Sequence, residues 1–290
     1  MKIFFHADPD GQAAGAVVKH FEHLKGRKYI ELIPVNFDKP FPYNRIRHHE
    51  KVFIVDYRPD CWDKLMKRTE DVVWIDHHVT SIETFKKWQH PKKKLIDVFV
   101  SLDNSGCVLA WKYYNQTTDY VPYWLRLVED RDIWNWNLPE TKMFWNGFYT
   151  EETNPGATNN IWSELLATDD EFYIIGDLVT KGKIVHKYVT RRNQSIIPRD
   201  MYERTWEGLK CAVVNRARGC GSETWTDSID VSKYDILVYV TYIEDKWMVS
   251  FYSVNTDIDV SQLAKKHDPS GGGHKGSAGC KFSKEDFPFY

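Results

Sequence analysis

Three apolar runs in the first eighty residues each stop on acid and imidazole, and this pairing constrains the fold more than any other feature of the chain. Lys2-Ile3-Phe4-Phe5 leads into His6-Ala7-Asp8-Pro9-Asp10-Gly11. Val52-Phe53-Ile54-Val55 leads into Asp56, and Val72-Val73-Trp74-Ile75 into Asp76-His77-His78. Runs this short and apolar read as strands buried on both faces, as in parallel sheets. Parallel strands of an open sheet deliver the residues that follow them to a common crevice at one edge. Acids and histidines distant along the chain are therefore expected at one rim. A lone Asp after a strand commonly caps the next helix, and Asp56 by itself would mean no more than that. His6, Asp8 and Asp10 together exceed what one helix start requires. Oxygen and imidazole ligands in this combination suit divalent cations, more than one of them.

Helical patterns fill the gaps between the runs. Residues 11–24 carry Ala13, Ala14, Ala16, Val17, Val18 and Phe21 on one face. A strand is predicted over 31–35, helices near 60–68 and 81–89, and a helix from Ser105-Gly106 to Tyr114. Strand and helix alternate, so the predicted class is α/β: an N-terminal parallel sheet with helices on both faces. His48-His49-Glu50 precedes its strand and falls at the opposite rim, and Lys92-Lys93-Lys94 reads as a solvated turn. A long helix is predicted over 169–197, closing at Pro198. Beyond it come strands over 209–214, 234–241 and 247–252 and a helix over 260–266. The predicted organisation is a metal-binding domain 1–168, a helical linker 169–199 and a smaller α/β domain 200–290.

The same residues carry a family resemblance. Asp76-His77-His78 resembles the signature triplet of the DHH phosphoesterases, His6-x-Asp8-x-Asp10-Gly11 their first motif, and Asp56 in Ile-Val-Asp-Tyr their second. Their fourth motif resembles an Asp-x-Trp after a helix. Asp130 and Asp132 compete for that place, and Asp132 is preferred because it directly precedes Ile133-Trp134. Gly271-Gly272-Gly273-His274-Lys275-Gly276-Ser277-Ala278-Gly279 is similar to the glycine-rich signature of the associated DHHA1 domain. The resemblance spans nearly the whole chain, in the expected order.

The resemblance implies Asp8, Asp10, Asp56, His77 and Asp132 as metal ligands, with Asp56 shared between two ions and His6 a further ligand. His78 would face the phosphate or the leaving oxygen, and Asp76 would orient imidazole. Mixed oxygen and nitrogen ligands without cysteine favour two Mn2+ ions, with Mg2+ the alternative. Gly271, Gly272 and Gly273 would let backbone N–H groups approach phosphate, with His274 and Lys275 adding donors. Arg216 and Arg218 are candidates for further phosphate contacts. Ser105 either opens a helix start onto an anion or is a simple cap. The chain departs from relatives at Ser270, where four glycines are often found, and at Tyr252, where others use Arg.

Composition narrows the substrate. The 290 residues hold 39 Lys+Arg against 41 Asp+Glu, a net charge of −2, which is not the electrostatic footprint of a protein gripping a long duplex. A short single-stranded oligonucleotide or nucleotide fits better. Five cysteines are scattered without a C-x-x-C pair, which suggests a reducing compartment. No signal peptide or membrane span is evident, so a cytoplasmic protein is expected. The 12 tryptophans are expected mainly in the core.

The function expected on these grounds is metal-dependent hydrolysis of short oligonucleotides to mononucleotides, in a cleft between two domains. Rival expectations are a 3′-phosphoadenosine-5′-phosphate phosphatase, a cyclic dinucleotide phosphodiesterase, a single-strand exonuclease and an inorganic pyrophosphatase or polyphosphatase. A nucleotide-binding protein without catalysis is the rival of another class.

Overall fold

Side chains alternate across a strand, and in this chain that alternation sorts the apolar runs onto two buried faces. The computed structural model describes residues 1–37, 39–168, 170–215 and 223–290. Packing divides the chain into Met1–Val185 and His186–Tyr290. In the first unit β1 (Lys2–His6), β2 (Glu31–Val35), β3 (Val52–Val55), β4 (Val72–Asp76) and β5 (Ile96–Val100) form one sheet in the order β2-β1-β3-β4-β5. Every neighbouring pair is parallel. The helices are α1 (Pro9–Leu24), α2 (Trp62–Met66), α3 (Val79–Lys87), α4 (Gly106–Tyr114), α5 (Tyr123–Asp132), α6 (Thr141–Phe148), α7 (Ile161–Ala167) and the long α8 (Glu171–Asp200).

Ile3, Phe5, Phe53, Val55, Val73 and Ile75 pack beneath α1, α4, α5, α6 and α7. Phe4, Val52, Ile54, Val72 and Trp74 point the other way, onto Trp62, Leu65 and Met66 of α2 and Ile82 and Phe85 of α3. Both faces are thus covered, as the unbroken apolar runs require. Burying a large apolar side chain in this way contributes roughly 1.5–3 kcal/mol. The indole N–H of fully buried Trp74 donates to the Tyr57 carbonyl at 2.9 Å, so its one polar atom is satisfied.

The structure departs from the sequence reading in several elements. β5 was not predicted: Ile96-Asp97-Val98-Phe99-Val100 lies at the sheet edge and is only partly buried, so its pattern lacks the apolar continuity of the central strands. The lysine run before it forms a short 3-10 helix, Pro91–Leu95. α8 passes through Pro198 to Asp200 instead of stopping there. A proline in the last turn removes a single donor and disturbs only the turn before it. The division between the two units falls inside α8.

In the second unit β6 (Met201–Trp206), β7 (Leu209–Asn215), β8 (Ile236–Ile243), β9 (Lys246–Ser253), β10 (Gly272–His274) and β11 (Ser277–Phe282) form a mixed sheet, order β10-β11-β9-β8-β7-β6. Among the described residues of this sheet, only β7 and β8 pair in parallel. One face packs Val238, Val249 and Phe251 against Val260 and Ala264 of a helix over Val260–His267 and against Phe287 and Phe289. The other packs Val214, Leu237 and Tyr239 against Ile197 and Trp225. The strand expected over 234–241 begins at Ile236, because residues Val231–Lys233 form a 3-10 turn. Among the described residues no helix is long and apolar enough to cross a membrane.

Candidate metal centre

The carboxyl ends of β1, β3 and β4 bring the three acidic clusters together. His6 closes β1, and Asp8 caps α1 by accepting from the Gly11 N–H at 2.9 Å. His6 Nδ1 then lies 2.8 Å from Asp8 Oδ2 and 3.5 Å from Asp56 Oδ2. Asp56 follows β3 with φ 53°, a left-handed conformation that costs most side chains about 1–2 kcal/mol and that Asp adopts more readily. Its Oδ1 lies 3.1 Å from His77 Nε2, which is also 3.9 Å from Asp10 Oδ2 and 3.5 Å from Asp132 Oδ2. Asp56 therefore stands between His6 and His77. Among the described residues three groups of candidate ligand atoms, each within 4.8 Å, result: His6, Asp8 and Asp56; Asp56, His77 and His78; Asp10, His77 and Asp132. They share Asp56 and His77, an arrangement that could hold more than one cation side by side.

Hydrogen bonding sets one imidazole of the cluster apart from the others. Among the described residues, Asp56 Oδ1 and Oδ2, His6 Nδ1, His77 Nε2, Asp132 Oδ2 and Asp76 Oδ2 are buried without a well-formed hydrogen bond, while His6 Nδ1 and His77 Nε2 lie against the carboxylates of Asp8 and Asp56 at 2.8 and 3.1 Å. Divalent cations are the ligands that this set of carboxylate oxygens and imidazole nitrogens fits. His78 differs. Its Nδ1 is 2.8 Å from Asp76 Oδ1, which also accepts from the backbone N–H of His77 at 2.7 Å and of His78 at 3.1 Å. A ring nitrogen facing a carboxylate carries the hydrogen, which leaves His78 Nε2 directed elsewhere.

The electrostatics follow from crowding. Burial opposes charge on the His6 imidazole, but Asp56 and Asp8 outweigh it and raise its pKa to about 11. Burial likewise opposes charge on His77, and Asp56, Asp10 and Asp132 raise it to about 10. Asp56 is lifted to about 6, first by burial and then by the charges of Asp8 and Asp10. Burial, with Asp10 and Asp56, pushes Asp132 well above the carboxylate range. Without a cation, protons on the histidines balance the carboxylates.

Several expected residues stand in other settings. Asp10, 1% exposed, is expected as a ligand, yet it also accepts from the N–H groups of Gly106 at 2.6 Å and Cys107 at 3.0 Å. The anion at the start of α4 is thus a side chain of the protein. Ser105, expected against substrate, is fully buried and its N–H donates to Glu129 Oε1 at 3.0 Å. This corrects the substrate reading for Ser105, since neither it nor those amides is open to phosphate. Of the competing pair, Asp132 joins the cluster. Asp130 turns away and accepts from Asn137 N–H at 2.8 Å, Leu138 N–H at 3.1 Å and Thr141 Oγ1 at 2.6 Å.

Gly271 leads into the β10–β11 hairpin, where Gly272 and Gly273 are paired strand residues and His274 and Lys275 are exposed. A Cβ on Gly273 (φ 143°) would lie 2.5 Å from the Ser277 carbonyl, so the hairpin itself requires that glycine. Ser270 donates through N–H and Oγ to Asp268 Oδ1. Arg216 and Arg218 lie outside the described residues.

Two features of the site escaped the sequence reading. A Cβ on Gly106 would lie 2.7 Å from Asp56 Cβ and 2.8 Å from Asp10 Oδ2. Phe37 packs its ring 5.4 Å from that of His6 and 6.0 Å from that of His78. Neither carries a local signal, because both matter through neighbours remote in sequence.

Comparison with known proteins gives a consistent picture of the fold. No known family profile matches the chain. It is 25% identical over 258 residues to the uncharacterized protein R106 of Acanthamoeba polyphaga mimivirus, covering 86% of this chain and 56% of that one. The chain thus spans a little over half the length of that curated relative. Among solved structures, it is similar to the DHH domain of a member of the S1p family of ribosomal proteins (TM-score 0.56, 14% identity, 98% of this chain and 83% of that one). It is also similar to the pGpG-specific phosphodiesterase PggH of Vibrio cholerae (0.52, 12%, 98% and 94%). A third likeness is to RecJ of Thermus thermophilus in complex with Mn2+ (0.50, 17%, 98% and 49%). With its parallel five-stranded sheet and second mixed sheet, the chain has the fold of the DHH-domain proteins.

Proposed function

We propose that the chain is a metal-dependent phosphoesterase that hydrolyses the phosphodiester bonds of short oligonucleotides to mononucleotides, with two Mn2+ ions as cofactor. One observation carries the reading: buried carboxylate oxygens and imidazole nitrogens of His6, Asp56, His77 and Asp132 face one another within 3.5 Å at the carboxyl edge of a parallel sheet. His6, Asp8, Asp10, Asp56, His77 and Asp132 would hold the cations, which supply charge neutralisation for phosphate and an activated water. Asp76 fixes the His78 ring so that Nε2 is presented to substrate. The Asp76 hydrogen bond outweighs burial and raises the His78 pKa, and the ring would serve as proton donor to the leaving oxygen. In this reading the first unit carries the chemistry. The scattered cysteines favour a reducing, cytosolic setting.

Two likenesses support the substrate class and the metal: PggH is a pGpG-specific phosphodiesterase, and RecJ was solved with Mn2+. The test is incubation of the purified chain with Mn2+ and 5′-phosphorylated di- to pentanucleotides, with products resolved by length. Mononucleotide release is expected, reduced about a thousandfold or more in Asp56→Ala and His77→Ala with circular dichroism unchanged. Tight binding without turnover would support a nucleotide-binding protein instead. Unimpaired activity in either variant would mean that the site is misplaced.

A further inference from the structure

The carboxylates that gather cations also repel phosphate, so a substrate gains from a contact that carries no charge. Beside the cluster stands such a surface. A column of rings rises from the core: Phe41 lies 4.6 Å from Phe4, Tyr57 lies 6.0 Å from Phe41 at an interplanar angle of 17°, and Phe37 lies 4.5 Å from Tyr57 at 30°. Phe41 and Tyr57 are 3% and 2% exposed, whereas Phe37 is 53% exposed. Phe37 follows β2 by two residues, and its ring contacts those of both His6 and His78. Among the exposed large side chains of the described residues, it is the aromatic with ring contacts to these two histidines. Burial on one side holds the ring in place, and the solvated remainder is an apolar face at the rim of a polar site.

We propose that Phe37 is the base-stacking residue of the site and restricts it to substrates bearing a nucleobase next to the scissile phosphate. The proposal rests on the phosphoesterase reading above and deepens it, since inorganic polyphosphates offer nothing to stack. Stacking on an aromatic ring tolerates any base because each presents a π face, so the selection is for a nucleotide and not for a sequence. Tyr57 and the two histidine rings fix the orientation of Phe37 before substrate arrives, which limits the entropy lost on binding.

The test compares a 5′-phosphorylated dinucleotide with the same backbone lacking either base, in wild type, Phe37→Ala and Phe37→Trp. In wild type, the abasic analogue should show a KM about tenfold or more above that of the dinucleotide. Phe37→Ala should raise the dinucleotide KM about tenfold with kcat within about twofold, and leave the abasic KM unchanged. Phe37→Trp should restore the difference. Mn2+ affinity, measured by calorimetry, should be the same in all three. Equal KM changes on both substrates, or none on the dinucleotide, would overturn the role of Phe37 while leaving the phosphoesterase reading intact. A wild type that cleaves neither substrate would end that reading and this inference with it.

Discussion

A single methyl group at position 106 tests how tightly the centre is built. Gly106 opens α4, donates its N–H to Asp10, and lies so close to Asp56 that a Cβ would sit 2.7 Å from the Asp56 Cβ. Neither neighbour can retreat: Asp56 is set by its left-handed backbone and Asp10 by two amides. Gly106→Ala is expected to weaken Mn2+ binding about tenfold or more and to lower stability by about 1–3 kcal/mol, the usual cost of overpacking. Calorimetry and denaturant titration measure the two separately. Unchanged Mn2+ affinity would show that the crowding is relieved elsewhere. The residue types gathered at the centre were legible in the sequence, because acids and histidines that follow apolar runs have few structural reasons to cluster. The requirement for glycine was not, since the atoms it avoids are remote along the chain.

At the scale of elements, Asp130 shows how one carboxylate can shape a turn. It gathers two backbone donors and the Thr141 hydroxyl from the segment after α5. That segment includes Trp134 and Trp136, both left-handed at φ 63° and 54°. Asp130→Ala would leave those donors without their acceptor, each worth about 1–3 kcal/mol if buried, and would loosen the end of α5 that presents Asp132. A loss of at least ~2 kcal/mol in chemical denaturation and weaker Mn2+ binding are expected, with Thr141→Ala showing a smaller loss. Full stability in Asp130→Ala would mean that water replaces the carboxylate. The central strands were predicted almost to the residue because burial on both faces leaves an unbroken apolar run. β5, half exposed at the edge, leaves no such run, and β6 follows α8 without an intervening turn to mark it.

For the whole molecule, cation binding and protonation oppose each other. The imidazoles of His6 and His77, raised to about 11 and 10, are protonated at neutral pH without metal. Their pairing with carboxylates contributes stability that is complete below the unfolded value of about 6.5 and is lost as pH rises through 10 to 11. Metal ligation needs neutral imidazole. Mn2+ binding should therefore release protons, tighten as pH rises from about 6 to 8, and show heats that differ between Tris and HEPES. Identical heats in the two buffers would count against His6 and His77 as ligands. At a hundredfold excess over Kd, Mn2+ should also stabilise the fold by about 2.7 kcal/mol, and EDTA should reverse the gain.

By itself the sequence determined the α/β class, the central strands and the rim at which the acids and histidines collect. Apolar runs and their spacing are local properties, and parallel pairing then leaves those ends little choice of place. Only the tertiary structure decided which anion caps α4, which of Asp130 and Asp132 faces His77, and what Phe37 stands beside. Each of those outcomes is a contact between segments distant in sequence; Asp10 and Gly106 are 96 residues apart. Local pattern does not encode such a pairing. It exists once packing has brought both segments to the same edge of the sheet.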